Sequence, residues 1–226
     1  MFNTQFIKSN FKYLFFGFLM TFCSSFGQTF FLGIFNPFIR QDLNLSHSEF
    51  GGIYSIATLI SSLTIIWIGK KIDDFKLRNF AVFVCISLSF AAIFMGQLSG
   101  YIHLIFAIFF LRLFGQGLMS HTSSTSMAKI FNKNRGKALA ISWLGLSFGE
   151  GVLPALIINL LNILFWKKIW LIIASFLIII VFPLIIYLLK NYKDNEVKKD
   201  EEKINFKIKH WTRKEVLKDM KFYFLL

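Results

Sequence analysis

Apolar residues in this chain run in long blocks separated by short, charged stretches. A helix crosses a bilayer in about 20 mainly apolar residues. Six blocks are long enough, at 13–39, 50–68, 80–98, 104–130, 138–161 and 169–189. The first is too long for a signal peptide and lacks a small-residue cleavage site. Local chemistry marks two helix starts. Ser46-His-Ser-Glu49 reads as a capping box with Leu45 and Phe50 as its hydrophobic staple, so the second span begins there. Thr212-Arg-Lys-Glu215 repeats the device with Trp211 and Val216, which predicts a further helix running to Leu226. The pattern is that of an all-α, polytopic membrane protein. It divides into a six-helix transmembrane bundle over 1–190, a charged linker over 191–216 and the start of a seventh transmembrane helix over 217–226.

Composition agrees with the pattern. Hydrophobic residues make up 55% of the 226 positions and charged residues only 16%, too little charge to cover a soluble surface. Disorder, a collagen repeat and a disulfide scaffold are excluded by the same figures. The net charge of +13 would point to nucleic acid in a soluble protein, but its placement reads as topology instead. With the N-terminus inside, ten basic residues lie on the inner side: Lys8, Lys12, Lys70, Lys71, Lys76, Arg78, Lys129, Lys133, Arg135 and Lys137. The outer loops hold Arg40, Lys167 and Lys168. The positive-inside rule then makes the N-terminus and the linker cytoplasmic. Trp166 and Trp170 at the outer end, and Trp67 at the inner end, are expected as interface anchors.

The polar residues inside the spans are the informative ones, because they must pack on protein or line water. In the fourth span, Gly115 to Ser126 reads GQGLMSHTSSTS. Arg112 lies nine residues after His103, about 13 Å below the outer end. Arg112, Gln116, Ser120 and Ser123 or Ser124 recur at helical spacing and form a polar stripe. Glu150, an acid deep in the fifth span, lies about 18 Å from that span's outer end. The two charges thus sit at similar depth, which allows a structural ion pair, an anion held by Arg112, or a titrating Glu150. Ser25, Gln28, Thr29 and Asn36 share a face of the first span, and Tyr54, Thr58, Ser61 and Ser62 a face of the second. Gly145-x-x-x-Gly149 is spaced for close helix packing, and Pro154 for a bend. Phe26-Gly-Gln28 in span one and Phe114-Gly-Gln116 in span four form an internal echo, as an inverted three-plus-three repeat would place them.

Enzymatic chemistry has little to stand on. No phosphate-binding loop, serine-nucleophile or zinc-protease motif appears. His103 and His121 have no ligating neighbour at i+3 or i+4, so no metal and no cofactor is expected.

These residues resemble the N-terminal half of a major facilitator superfamily transporter. Gly69-Lys-Lys-Ile-Asp73-Asp-Phe-Lys-Leu-Arg78 is similar to that family's G-x-x-x-D-R-x-G-R-R loop. Gly69, Asp73 and Arg78 match it, while Asp74, Lys76 and Leu77 depart. Arg112-x-x-Gly115-x-Gly117 resembles the family's membrane-embedded arginine motif. Gly145-x-x-x-Gly149 resembles the glycine-rich helix of its antiporters, but Glu150 stands where those have proline, which favours symport or uniport. Ser24 to Phe31, Arg135-Gly-Lys-Ala138 and Gly149 to Pro154 are similar to the monocarboxylate-porter-like branch.

The resemblance implies two inverted three-helix repeats and secondary transport of a small solute, a small organic anion in particular, by alternating access. Spans one, two, four and five would line the path, with three and six facing lipid. Arg112, Gln116, Gln28, Ser120 and Thr29 would line it, Glu150 would couple an ion, and Gly69, Asp73 and Arg78 would form a cytoplasmic gate. Gly145, Gly149 and Pro154 would serve helix packing. The expected partners are the substrate, the lipid bilayer and a C-terminal six-helix half; nucleic acid is not among them. The expected place is the plasma membrane, the inner membrane of a bacterium. A competing expectation is a fragment that does not transport, or a half that works only when assembled with a second one.

Overall fold

The computed structural model describes residues 4–192 and Glu215. The expected linker, the second capping box apart from helical Glu215, and the expected seventh span lie outside these described residues. Among them there is no strand, and six helices are long and apolar enough to cross a membrane: Phe11–Leu43, His47–Asp74, Leu77–Gly96, Tyr101–Ile130, Arg135–Leu161 and Trp166–Leu188.

The second span starts at the expected capping box. The Ser46 hydroxyl accepts from the Glu49 amide at 3.2 Å, and the Ser46 amide donates to the Glu49 carboxylate at 2.8 Å. Leu45 and Phe50, the staple pair, are both buried. The turn before it uses Asn44 at φ 52°, a left-handed position that asparagine tolerates.

Two spans depart from regular helices. The first is interrupted: an α-helix over Phe11–Ser24 tightens to a 3₁₀ turn at Ser25–Gly27, passes through extended Gln28 (φ −79°, ψ 155°) and resumes at Thr29–Leu43. The sequence expectation of one continuous face from Ser25 to Asn36 therefore fails. The fourth span widens to a π-helix over Leu111–Met119, between α-helical Tyr101–Phe110 and Ser120–Ile130. π-Segments are rare and cluster at functional positions.

Both departures fall where two glycines cross. A methyl group built on Gly27 would strike Leu111 O and come within 2.5 Å of Gln116 N and 2.8 Å of the Gly115 Cα. One on Gly115 would lie 2.7 Å from the Gly27 backbone. The two echoed tripeptides thus meet at backbone contact, which only glycine permits.

Packing between spans follows the inverted repeat. Span one packs on five, and span four on two; three packs on six, and one crosses four. Exchanging one with four, two with five and three with six reproduces the same set of contacts. Small residues set the approach of spans one and five. Gly17 faces Ser142, Gly145 faces the Phe18 carbonyl and the Thr21 hydroxyl, and Gly149 faces Ser25. Thr21 Oγ1 also donates to the Ser142 carbonyl. Larger side chains fill the remainder, with Trp170 against Phe31 and Phe35 at ring distances of 5.6 and 4.9 Å.

One expectation about surfaces needs correction. Trp166 and Trp170 are not interface anchors: both are buried, Trp166 Nε1 donating to Asp42 Oδ2 at 3.2 Å, while Lys167 pairs with the same carboxylate. Trp67, by contrast, is 78% exposed. Among the described residues span three packs on span six, and spans two and five are the least enclosed.

Candidate functional site

Arg112 is carried on the π-segment of span four and is 8% exposed. Extended Gln28 displaces the helical hydrogen-bond register of span one, which leaves the Gly27 carbonyl open to a side-chain donor. Arg112 Nη1 donates to that carbonyl at 3.3 Å and to Thr29 Oγ1 at 3.1 Å. The Tyr54 hydroxyl of span two donates to Thr29 Oγ1 at 2.9 Å, and its ring lies 5.4 Å beneath the guanidinium. Three spans thus converge on one cation. The break in span one supplies an acceptor, the first turn after it a hydroxyl, and span two an aromatic face.

Every partner of Arg112 among the described residues is neutral. Its Nε–H is buried and has no acceptor. Glu150 does not reach it: that carboxylate is exposed on span five and makes no ion pair among the described residues. The ion pair allowed by equal depth is therefore not formed, because the glycine face of span five, not Glu150, turns toward span one. Gln28 and Gln116 are half-buried, and their side chains make no hydrogen bond among the described residues. Ser120 and Thr58 each present a buried hydroxyl oxygen without a partner.

The lower end of the polar stripe has a different part. Ser123 Oγ donates to the Gly17 carbonyl at 2.9 Å, and Thr122 and Ser126 bond to carbonyls of their own helix. All three are wholly buried, so this end packs on protein. The π-segment adds residues to a turn, which rotates everything below Met119 relative to Arg112.

At the inner ends of spans two and four, Asp73 accepts from Lys129 Nζ at 2.6 Å, while Arg78 is exposed and forms no ion pair among the described residues. Asp73 thus pairs with Lys129 and not with Arg78, its neighbour in the loop motif, because span four ends beside it. His121 Nε2 lies 3.1 Å from the Gly69 carbonyl, and its ring packs where a Gly69 side chain would go. Pro154 sits half-buried inside a continuous helix, where it removes the donor for the Glu150 carbonyl.

The sequence placed Tyr54 only on a polar face of span two, and it gave Lys129 and His121 no part beside Gly69 and Asp73. The charge of Lys129 was visible, but its partner depends on how spans two and four end side by side.

The structure is thus a six-span bundle with an arginine buried where interrupted span one crosses π-widened span four. The family model described as Major Facilitator Superfamily covers residues 17–226. The chain belongs to the Major Facilitator Superfamily. Comparison with curated proteins found no match. Members of this superfamily are membrane transporters and not enzymes, so the chain is a multi-pass membrane protein of a family that moves small molecules.

Proposed function

We propose that the chain takes part in secondary transport of a small organic anion, a monocarboxylate in the first instance, by alternating access. One observation carries the reading: Arg112 is a buried cation whose described partners are all neutral and whose Nε–H is unspent. An arginine at the centre of a span costs about 2.5–3.5 kcal/mol on insertion scales. A carboxylate would supply the missing charge and take two parallel N–H donors. Thr29, bonded to Arg112, with Gln28, Gln116 and Ser120 would supply further polar lining. Glu150, exposed on its span, is the proposed coupling group for symport. Uniport is the alternative that does not need it. Gly69, Asp73 and Arg78 are proposed as the inner gate, with Lys129 added as the partner of Asp73. Gly145 and Gly149 would fix the span one–five contact about which the helix beyond Pro154 moves. The cytoplasmic N-terminus and a bacterial inner membrane belong to the same proposal.

The alternative, a half that functions only when assembled with a second six-helix half, is supported by the exposed apolar faces of spans two and five. These include Leu59 and Leu63 on one, and Leu144 and Phe148 on the other.

The test is thermal unfolding of the purified chain with lactate, with lactamide as the uncharged isostere and with chloride. Stabilisation by lactate alone, lost in Arg112→Gln, is the expected result. Equal shifts with all three, or a shift that Arg112→Gln retains, would overturn the carboxylate assignment. Lactate uptake into proteoliposomes by the chain alone would count against the assembled-half alternative.

A further inference from the structure

A second basic site lies well away from Arg112, where the start of span one meets the end of span six. There a cavity of about 360 Å³ is lined by Lys8 and Lys12 from the N-terminal side and by Lys190 from the end of span six. Asn10 and Asn191 add polar edges, and no acidic residue among the described ones lines it. None of the three lysines forms an ion pair among the described residues. Their mutual repulsion is therefore not relieved by any described carboxylate. Lys12 Nζ instead rests 5.3 Å above the Tyr187 ring.

The position of this cavity selects its ligand. Tyr187 and Phe11, both among its lining residues, are 60% and 58% exposed on the bundle's outer surface. An apolar flank thus adjoins a polar, triply cationic pocket at the end of two membrane spans. Tyrosine and lysine at such a level are the groups that meet a bilayer's headgroup region. We propose that this cavity binds the phosphate headgroup of an anionic phospholipid, in the leaflet on the N-terminal side of the membrane. The three lysines and the Asn191 amide take the phosphate oxygens, the Asn10 amide being held by the Phe6 carbonyl and Ser9 Oγ, and an acyl chain runs along Phe11 and Tyr187. The bound lipid would add to the contacts of span one with span six at this level, Lys12 over Tyr187 and Tyr13 against Tyr192.

The test uses the whole chain, delipidated in neutral detergent, with phosphatidylglycerol or phosphatidylcholine added and bound lipids counted by native mass spectrometry. One phosphatidylglycerol retained in preference to phosphatidylcholine is expected. Lys190→Gln should weaken that binding about fivefold, the effect of one basic residue near an anionic surface. The triple variant Lys8→Gln, Lys12→Gln, Lys190→Gln should abolish the preference. The variant Lys133→Gln, Arg135→Gln, Lys137→Gln, equal in charge loss, should keep it. Loss in both triple variants would show diffuse attraction and overturn the site. Displacement of the lipid by an equal concentration of glycerol phosphate would overturn the lipid as ligand. If the triple variant fails to fold, a phosphatidylglycerol carrying a photoreactive acyl chain decides the matter on the unaltered protein. Crosslinks within 8–13 and 187–191 support the proposal, and crosslinks elsewhere refute it.

Discussion

Arg112 and Glu150 show how two buried-looking charges of similar depth acquire different environments. Arg112 is bound to span one through a carbonyl and a hydroxyl, so removing it leaves acceptors without a donor. Arg112→Leu is expected to destabilise the bundle by about 1–3 kcal/mol in denaturant unfolding, the cost of an unpaired buried polar group. Glu150→Gln removes a carboxylate that is exposed and unpaired, so its unfolding should shift by less than about 0.5 kcal/mol. A large loss in Glu150→Gln would mean that the carboxylate has a structural partner. The exposed Asp73–Lys129 pair is a third case, with side chains 64% and 31% exposed. A double-mutant cycle on Asp73→Asn and Lys129→Gln should return a coupling of about 0.2–1 kcal/mol that shrinks with added salt. The matching cycle on Asp73 and Arg78 should return none. Sequence identified Arg112 by its cost in lipid, but its neutral partners depend on a break in another span, which periodicity does not encode.

At the scale of the elements, the two irregular spans meet at the contact of Gly27 with Gly115. A methyl group on either must push apart two backbones, not a flexible side-chain end. Gly27→Ala and Gly115→Ala are each expected to cost about 1–3 kcal/mol, the range for overpacking a tight site. Gly33 lies in the same first span and is helical, with open space for 4 Å around the position a methyl would take. Gly33→Ala should gain about 0.5–1 kcal/mol, which separates the crossing from any general effect of alanine. The six spans and the start of the second were legible because apolar length and a capping box are local signals. The 3₁₀ turn and the π-segment were not, since the assumption of 3.6 residues per turn conceals them. Their one trace was the repeated Phe-Gly-Gln, which marks the two stretches of chain that meet. Trp166 and Trp170 were misread for a related reason. A tryptophan at a span end has the same sequence signature whether it faces lipid headgroups or, as here, Asp42 and a cluster of phenylalanines.

For the molecule as a whole, six crossings put the N-terminal segment and Tyr192 on one side of the membrane. The positive-inside rule predicts that this side is the cytoplasm, because the loops at Lys71 to Arg78 and Lys129 to Lys137 share it with Lys8 and Lys12. Both natural cysteines, Cys23 and Cys85, are wholly buried, so an impermeant thiol reagent should find little background on the unaltered protein. Lys133 is exposed in the turn between spans four and five, and Lys168 is exposed in the first turn of span six, at the opposite ends of these spans. In intact cells, Lys168→Cys should be labelled, and Lys133→Cys should be labelled only after the membrane is permeabilised. The reverse pattern would invert the molecule and move the three-lysine cavity to the outer leaflet. Labelling of both before permeabilisation would break the six-span topology, and with it the inverted repeat that brings Gly27 to Gly115 and Arg112 to the opening in span one.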